Sequence, residues 1–302
     1  MPQERGSRLW FWIPLGCGTF LVLVVVAIAI LIFALRGGAG EFSGFGSKIG
    51  VVELQGVILS PDETVRQLKA FADDDSIKAI ILHINSPGGG AAASEEIYRE
   101  VRRIRDEKKK RIVASIESVG ASGAYYAASA TNKIFANNAS VVGSIGVIAE
   151  WYNYGDLLRW AKLKQVVIKA GAFKDMGDPA REMTPAERQF MQQMIDNMHV
   201  QFIDAVAAGR GMNPDALRPI ADGRVWTGQQ AIGLKLVDQI GGFRACVDDT
   251  ARAVGISGEP NLIRASQRKR SLLDFLIGDV SDVIPDRAKL MEKNPGFYFL
   301  WK

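Results

Sequence analysis

The chain has 302 residues, 48% of them hydrophobic and 23% charged, with a formal net charge of +4. That composition excludes a disordered chain, and 31 glycines with 11 prolines exclude a collagen-like one. Basic and acidic residues nearly balance (37 against 33), which gives no case for nucleic-acid binding, and no cysteine–histidine spacing suits a metal.

Residues 9–35 carry no charge and include LVLVVVAIAILIFAL. A spanning helix needs roughly 20 apolar residues, whereas the apolar core of a cleaved signal peptide has about 7–15 and ends at a small-residue cleavage site. This run is longer and stops at Arg36, so an uncleaved transmembrane helix is expected. Most of the run follows Cys17, which argues against a lipid-modified cysteine there. Arg5 and Arg8 precede the run, offset by Glu4, while Arg36 and Lys48 follow it with Glu41. The positive-inside rule favours a cytoplasmic N-terminus over residues 1–8, by a small margin of charge. Residues 36–49 contain five glycines and read as a flexible linker.

Residues 49–59 (IGVVELQGVIL) are β-branched and apolar, a strand signal. Ser60 then reads as a helix cap with Pro61 at the first helical position, and Val65, Leu68 and Phe71 mark one helix face. Residues 78–85 (KAIILHIN) form a continuous apolar strand, as expected of one buried on both faces. The loop SPGGG at 86–90 leads into a helix with Ala93, Ile97, Val101 and Ile104 inward, and residues 111–116 give another strand. Strand and helix alternate, so the fold class is α/β with mostly parallel strands. The short basic runs at 108–111 and 268–270 read as solvated helix ends. From Thr184 helix dominates: Thr184, Pro185 and Glu187 form a capping box with proline in the first turn, and Phe190, Met194, Met198, Phe202 and Val206 make one apolar stripe. Cys17 and Cys246 lie in different environments and imply no disulfide.

Three loops carry candidate chemistry. In Ser86–Gly90 the glycines let backbone N–H groups approach a ligand, and the following helix N-terminus favours negative charge, so the loop suits an oxyanion or a phosphate. It reads equally well as a plain strand–helix turn. In VGASGAYY (119–126) Ser122 sits among small residues between a strand and a helix, near a nucleophile elbow, although Ala124 breaks the strict G-x-S-x-G pattern. Alone, it reads better as a helix cap. The third loop, KAGAFKDM (169–176), offers Lys169 and Lys174. His83 and His199, the two histidines, both read as structural, which leaves a serine nucleophile short of a base; a lysine kept neutral by desolvation can take that role.

At these loops the sequence resembles the signal peptide peptidase A family, membrane-bound serine peptidases with a Ser/Lys dyad. The resemblance covers residues 50–257 through NSPGGG (85–90), GASGAYY (120–126), VVGSIGV (141–147), FKDMGDPAREMT (173–184) and ADGRVWTGQQAIGLKLVD (221–238), and the length matches the short, single-domain form. It implies Ser122 as nucleophile, Lys174 as general base, Gly89 with Gly90 as oxyanion-hole donors, and Ser144 orienting the lysine amine. Gly120 and Ala124 depart from the family's common A-A-S-G-G-Y, small for small. The resemblance also implies a Clp-protease/crotonase-like fold of ββα units, a ring-like homo-oligomer, no cofactor or metal, and released signal peptides or other apolar peptides as substrates. It places an extracytoplasmic peptidase domain on a single-pass cell-membrane anchor. Two alternatives stay open: an inactive membrane scaffold of the same fold, and a crotonase-type acyl-CoA enzyme. Residues 258–302 form a tail with an amphipathic helix carrying Leu272, Leu273, Leu276, Val280 and Ile284 and an apolar end, PGFYFLWK. Packing on the domain or a neighbour, a membrane-surface helix, and entry into a neighbour's active site are its three readings.

Overall fold

The structure, a computed structural model, describes residues 47–265 and 296–300. The expected span at 9–35, most of the linker and the amphipathic tail helix lie outside these residues. Among the described residues no helix is long and apolar enough to cross a membrane.

Strand β1 (Lys48–Gln55) begins inside the stretch expected to be linker. Helix α1 (Asp62–Asp73) follows, one residue later than the sequence signal placed it, with Pro61 at the cap and the Ser60 hydroxyl accepting from Asp62 N–H at 3.2 Å. Next come β2 (Ile77–Ser86), the short β3 (Gly88–Gly90), α2 (Ala91–Asp106) and β4 (Arg111–Ala121). The chain continues through α3 (Gly123–Ser129), β5 (Lys133–Ala136), β6 (Val141–Gly143), β7 (Ile148–Glu150) and α4 (Gly155–Trp160). Its second half holds α5 (Pro185–Arg210), α6 (Pro214–Leu217), β8 (Val225–Thr227), α7 (Gly228–Gly233), β9 (Gln239–Ile240), α8 (Phe243–Ala253), β10 (Asn261–Arg264) and β11 (Gly296–Leu300).

The main sheet has the order β10-β1-β2-β4-β5-β9, and every pair along it is parallel. Strand β4 forks. Its residues Val113 to Ile116 pair with β5, and its last three, Val119 to Ala121, pair with β6, which is antiparallel to β8. The sheet is therefore mixed, with parallel pairs dominant. Strand β10 joins β1 beyond residue 257, so the first part of the expected tail belongs to the domain.

Both faces of the sheet are covered. Ile80, Leu82 and Ile84 of β2 pack with the helical core of Leu68, Ile97, Val101 and Phe202 on one side. Ala79 and Ile81 pack with Phe135, Cys246 and Val247 on the other. This explains the unbroken apolar run of β2, and each fully buried Ile or Leu contributes about 1.5–3 kcal/mol. The stripe of α5 divides. Phe202 and Val206 lie in the core, but Phe190 near the helix start is half exposed, so the N-terminal half of this 26-residue helix is not core. Its expected capping box is present: Thr184 Oγ1 accepts from Glu187 N–H, and the Glu187 carboxylate accepts from Thr184 N–H.

A second, three-stranded sheet has the order β3-β11-β7. Strand β11, from the end of the chain, lies between the glycine strand β3 and strand β7, antiparallel to both. Tyr298 stands opposite Gly90 and Ile148, Phe299 opposite Gly89, and Phe297 opposite Ala149.

Candidate active site

The carboxyl ends of β2, β4 and β6 lie side by side, the place where open α/β sheets bind ligands. Ser86 pairs with Gly120, and Ala121 pairs with Gly143. The residues that leave these strands, Gly88–Gly90, Ser122 and Ser144, are thereby brought together.

Ser122 turns the chain sharply from β4 into α3 with φ 52° and ψ −121°, a conformation costly for any residue with a side chain. Two backbone bonds hold it. Its N–H donates to the Gly143 carbonyl at 2.7 Å, and its own carbonyl accepts from Tyr126 N–H at 2.8 Å. It occupies the cap position of α3, yet its hydroxyl makes no capping bond, so the helix-cap role does not account for this serine. All of α3 is buried, and the Tyr125 hydroxyl donates to the Leu236 carbonyl at 2.7 Å, which fixes the elbow from below. A Cβ at Gly120 would stand 2.8 Å from the Ile116 side chain, so glycine suits this neighbour.

Ser144 follows the Gly143 carbonyl that holds Ser122. It also has positive φ (52°), is buried, and donates its N–H to the Arg224 carbonyl at 2.9 Å.

Strand β3 leans on the loop after β1. Ile58 N–H donates to Gly88 O at 2.8 Å, and Gly90 N–H donates to Ile58 O at 2.9 Å. Gly90, expected as a second oxyanion donor, thus already uses its N–H. Successive strand residues present their amides to opposite edges, so Gly89 directs its N–H to the other edge, where β11 pairs. A Cβ at Gly89 would lie 2.2 Å from Ile58 O, which is why only glycine fits.

Lys174 is not joined to this group. It is exposed, in a stretch from 161 to 184 without helix or strand, and among the described residues neither its amine nor the Ser122 hydroxyl makes a hydrogen bond. Lys169 instead bonds the Ala172 carbonyl at 2.9 Å and pairs with the Asp175 carboxylate. The histidines are structural, as expected. His83 Nδ1 contacts Glu53 at 2.9 Å, and His199 Nε2 faces the carbonyls of Ala221 at 2.7 Å and Ile145 at 3.2 Å.

Three features were not read from the sequence: the support of β3 by Ile58, the seating of β11 against β3, and the ionic network around Arg181. The first two join distant segments through backbone groups, which leave no side-chain signature. The third had a legible trace in the run Asp175, Arg181, Glu187.

The model of peptidase family S49 matches residues 104–257, and that of Clp protease matches residues 59–143. Similar proteins include a putative signal peptide peptidase SppA of Enterococcus faecium, 31% identical over 268 residues and 78% of each chain. A putative protease of Methanocaldococcus jannaschii is 34% identical over 236 residues, 73% of this chain and 75% of the relative. The chloroplastic serine protease SPPA of Arabidopsis thaliana is 30% identical over 259 residues, 83% of this chain and 38% of that longer protein.

Proposed function

The chain belongs to peptidase family S49 and is a serine peptidase, and from that premise we propose that Ser122 and Lys174 are its nucleophile and general base. The observation that carries the reading is the convergence of a strained, buried Ser122, the edge of Gly89 that faces β11, and Ser144 at three adjacent strand ends.

The neutral amine of Lys174 takes the proton of Ser122 as Oγ attacks a peptide carbonyl. Gly89 N–H stabilises the oxyanion, a donor of a kind that contributes about 10²–10³ in rate. The ammonium returns its proton to the leaving amine, and water, deprotonated by the same lysine, hydrolyses the acyl-enzyme. Ser144 orients the lysine amine.

The substrate enters as an extended strand between β3 and β7. Strand β11 supports this, since it pairs there through backbone groups on both sides. The tail therefore competes with substrate for the groove. The substrates are apolar peptides, released signal peptides among them, and the charge-free run at 9–35 anchors the extracytoplasmic domain beside the bilayer that yields them.

Lys174 reaches a serine on assembly of a ring-like homo-oligomer. Residues 152–174 support this, because most of the exposed large apolar side chains among the described residues lie there, including Trp160 (82% exposed) and Ile168 (96%). Patches of this kind mark interfaces. Assembly would also desolvate the amine, which favours its neutral form.

Labelling with a serine-directed covalent probe tests the reading. Attachment at Ser122, lost in Ser122→Ala and slowed at least tenfold in Lys174→Ala, is expected. Normal peptidase activity in either variant refutes the dyad and assigns the chemistry to other residues.

A further inference from the structure

Lys174 lies in an exposed stretch without regular structure, yet the residues on either side of it are tied to the first turns of α5. Phe173 packs against Phe190 with ring centroids 5.6 Å apart. Asp175 is held by Arg181, whose Nε donates to Asp175 Oδ2 at 3.0 Å and whose Nη2 donates to the Asp175 carbonyl at 3.0 Å. The same guanidinium reaches across to Glu187. Nη1 donates to Glu187 Oε2 at 2.9 Å and Nη2 to Glu187 Oε1 at 2.6 Å, while Nη1 also donates to the Glu182 carbonyl at 2.9 Å.

All five N–H groups of Arg181 are therefore in use, and they join three points of the chain. Glu187 is a firm anchor. It is buried, it lies in the first turn of α5, and its carboxylate also completes the capping box through Thr184 N–H at 2.9 Å. The turn that carries the lysine is short, with Lys174 N–H donating to the Gly171 carbonyl at 3.2 Å and Asp178 N–H to the Asp175 carbonyl at 3.1 Å.

We propose that Arg181 is a positioning residue for the Lys174 amine, clamping the lysine turn to the start of α5 so that the base is presented in one place. The proposal rests on the Ser122–Lys174 reading above. Without the clamp the exposed turn would sample many positions, and a misplacement of about 1 Å at a catalytic group costs on the order of 10²-fold in rate. Lysine is an incomplete substitute at this position, because its three N–H groups cannot make a fork that serves two carboxylates and two carbonyls.

The test uses the full-length chain carrying Arg181→Met or Arg181→Lys. The readouts are kcat and KM on a fluorogenic peptide, the number of sites labelled by the serine-directed probe, and the labelling rate. Arg181→Met is expected to lower kcat per labelled site ~10–100-fold and slow labelling in parallel, with KM changed less than twofold. Arg181→Lys should recover part of the loss. Asp175→Asn frees only one side of the clamp, without stranding the buried Glu187, and should give a smaller fall in kcat per site. A kcat per labelled site within twofold of the parent in Arg181→Met, with loss only in the number of sites or in thermal stability, overturns the proposal. Lys174→Ala is assayed beside it. Full activity there rejects the dyad itself, whereas an inactive Lys174→Ala beside a fully active Arg181→Met rejects the clamp alone.

Discussion

Gly89 and Gly90 are adjacent and chemically identical, yet the structure assigns them opposite tolerance to a methyl group. A Cβ at Gly89 would lie 2.2, 2.6 and 2.7 Å from the O, N and C of Ile58, all backbone atoms. Ordinary carbon contacts begin near about 3.5 Å, so the two segments must part by about 1 Å. That movement breaks Ile58 N–H to Gly88 O (2.8 Å) and Gly90 N–H to Ile58 O (2.9 Å), at about 0.5–1.5 kcal/mol each. It also carries the Gly89 N–H away from the proposed oxyanion position, where losing a donor costs about 10²–10³ in kcat. At Gly90 the added Cβ would meet Ala93 Cβ and Ile58 O at 3.7 Å, an ordinary contact. Gly89→Ala is therefore expected to lose about 1–3 kcal/mol of stability and at least a hundredfold in kcat, while Gly90→Ala stays within about threefold of the parent. Steady-state cleavage of a fluorogenic peptide, with thermal midpoints measured in parallel, reads both. Equal damage from the two substitutions, or an active Gly89→Ala, would refute the placement of the oxyanion edge.

Deleting residues 296–302 should lower KM for added peptides severalfold, and a synthetic GFYFLWK peptide should then inhibit competitively; an unchanged KM would show that β11 does not obstruct the groove. Trp160→Glu with Ile168→Glu should shift the protein to smaller species in sedimentation and lower peptidase activity together, since both side chains are exposed in the single subunit. Tyr125→Phe strands the buried Leu236 carbonyl and should cost about 1–3 kcal/mol, read as a fall in denaturation midpoint. The Arg181 network carries a pH signature. Hydrogen bonds from Arg181 hold the carboxyls of Asp175 and Glu187 below the usual carboxylate range, Glu187 at about 2. Their contribution is thus complete above the pKa of free carboxyls, about 4, and is lost as pH falls towards 2. Amide exchange of residues 171–184, corrected for intrinsic rates, should stay slow at pH 4 and accelerate only below about pH 3; loss of protection already at pH 5 would contradict the pairing.

Much of this was legible in the residue pattern, for physical reasons. The run IILHIN in β2 announces a strand buried on both faces, and Thr184, Pro185 and Glu187 specify a helix start through local bonds alone. Ser122 and Gly89 stood out because small residues cluster where a backbone must turn or approach closely. What stayed hidden depends on long-range geometry. The stripe of α5 has helical spacing throughout, but nothing in that spacing says that Phe190 lies beyond the core while Phe202 lies within it. Gly90 stood behind Gly89 as a second donor. Only the parity of β3 against Ile58 separates them, and that parity is set by a contact between segments thirty residues apart.

The two halves of the proposed dyad sit in opposite surroundings, and this bears on how activity would be controlled. Ser122 is 1% exposed and locked by α3, β6 and its own backbone bonds, so a single subunit builds the elbow completely. Lys174 is exposed, in a stretch without helix or strand. A lone subunit therefore holds a formed elbow that the proposed base does not join by a hydrogen bond. Burial of residues 152–174 against another copy would change the amine's environment and its position in one step, while the serine side needs no rearrangement. On this argument the dependence of activity on protein concentration should follow assembly, and Ser122 labelling in isolated subunits should be slow even though the elbow is intact. Rapid labelling of a monomeric Trp160→Glu, Ile168→Glu variant would show that the base acts within one chain.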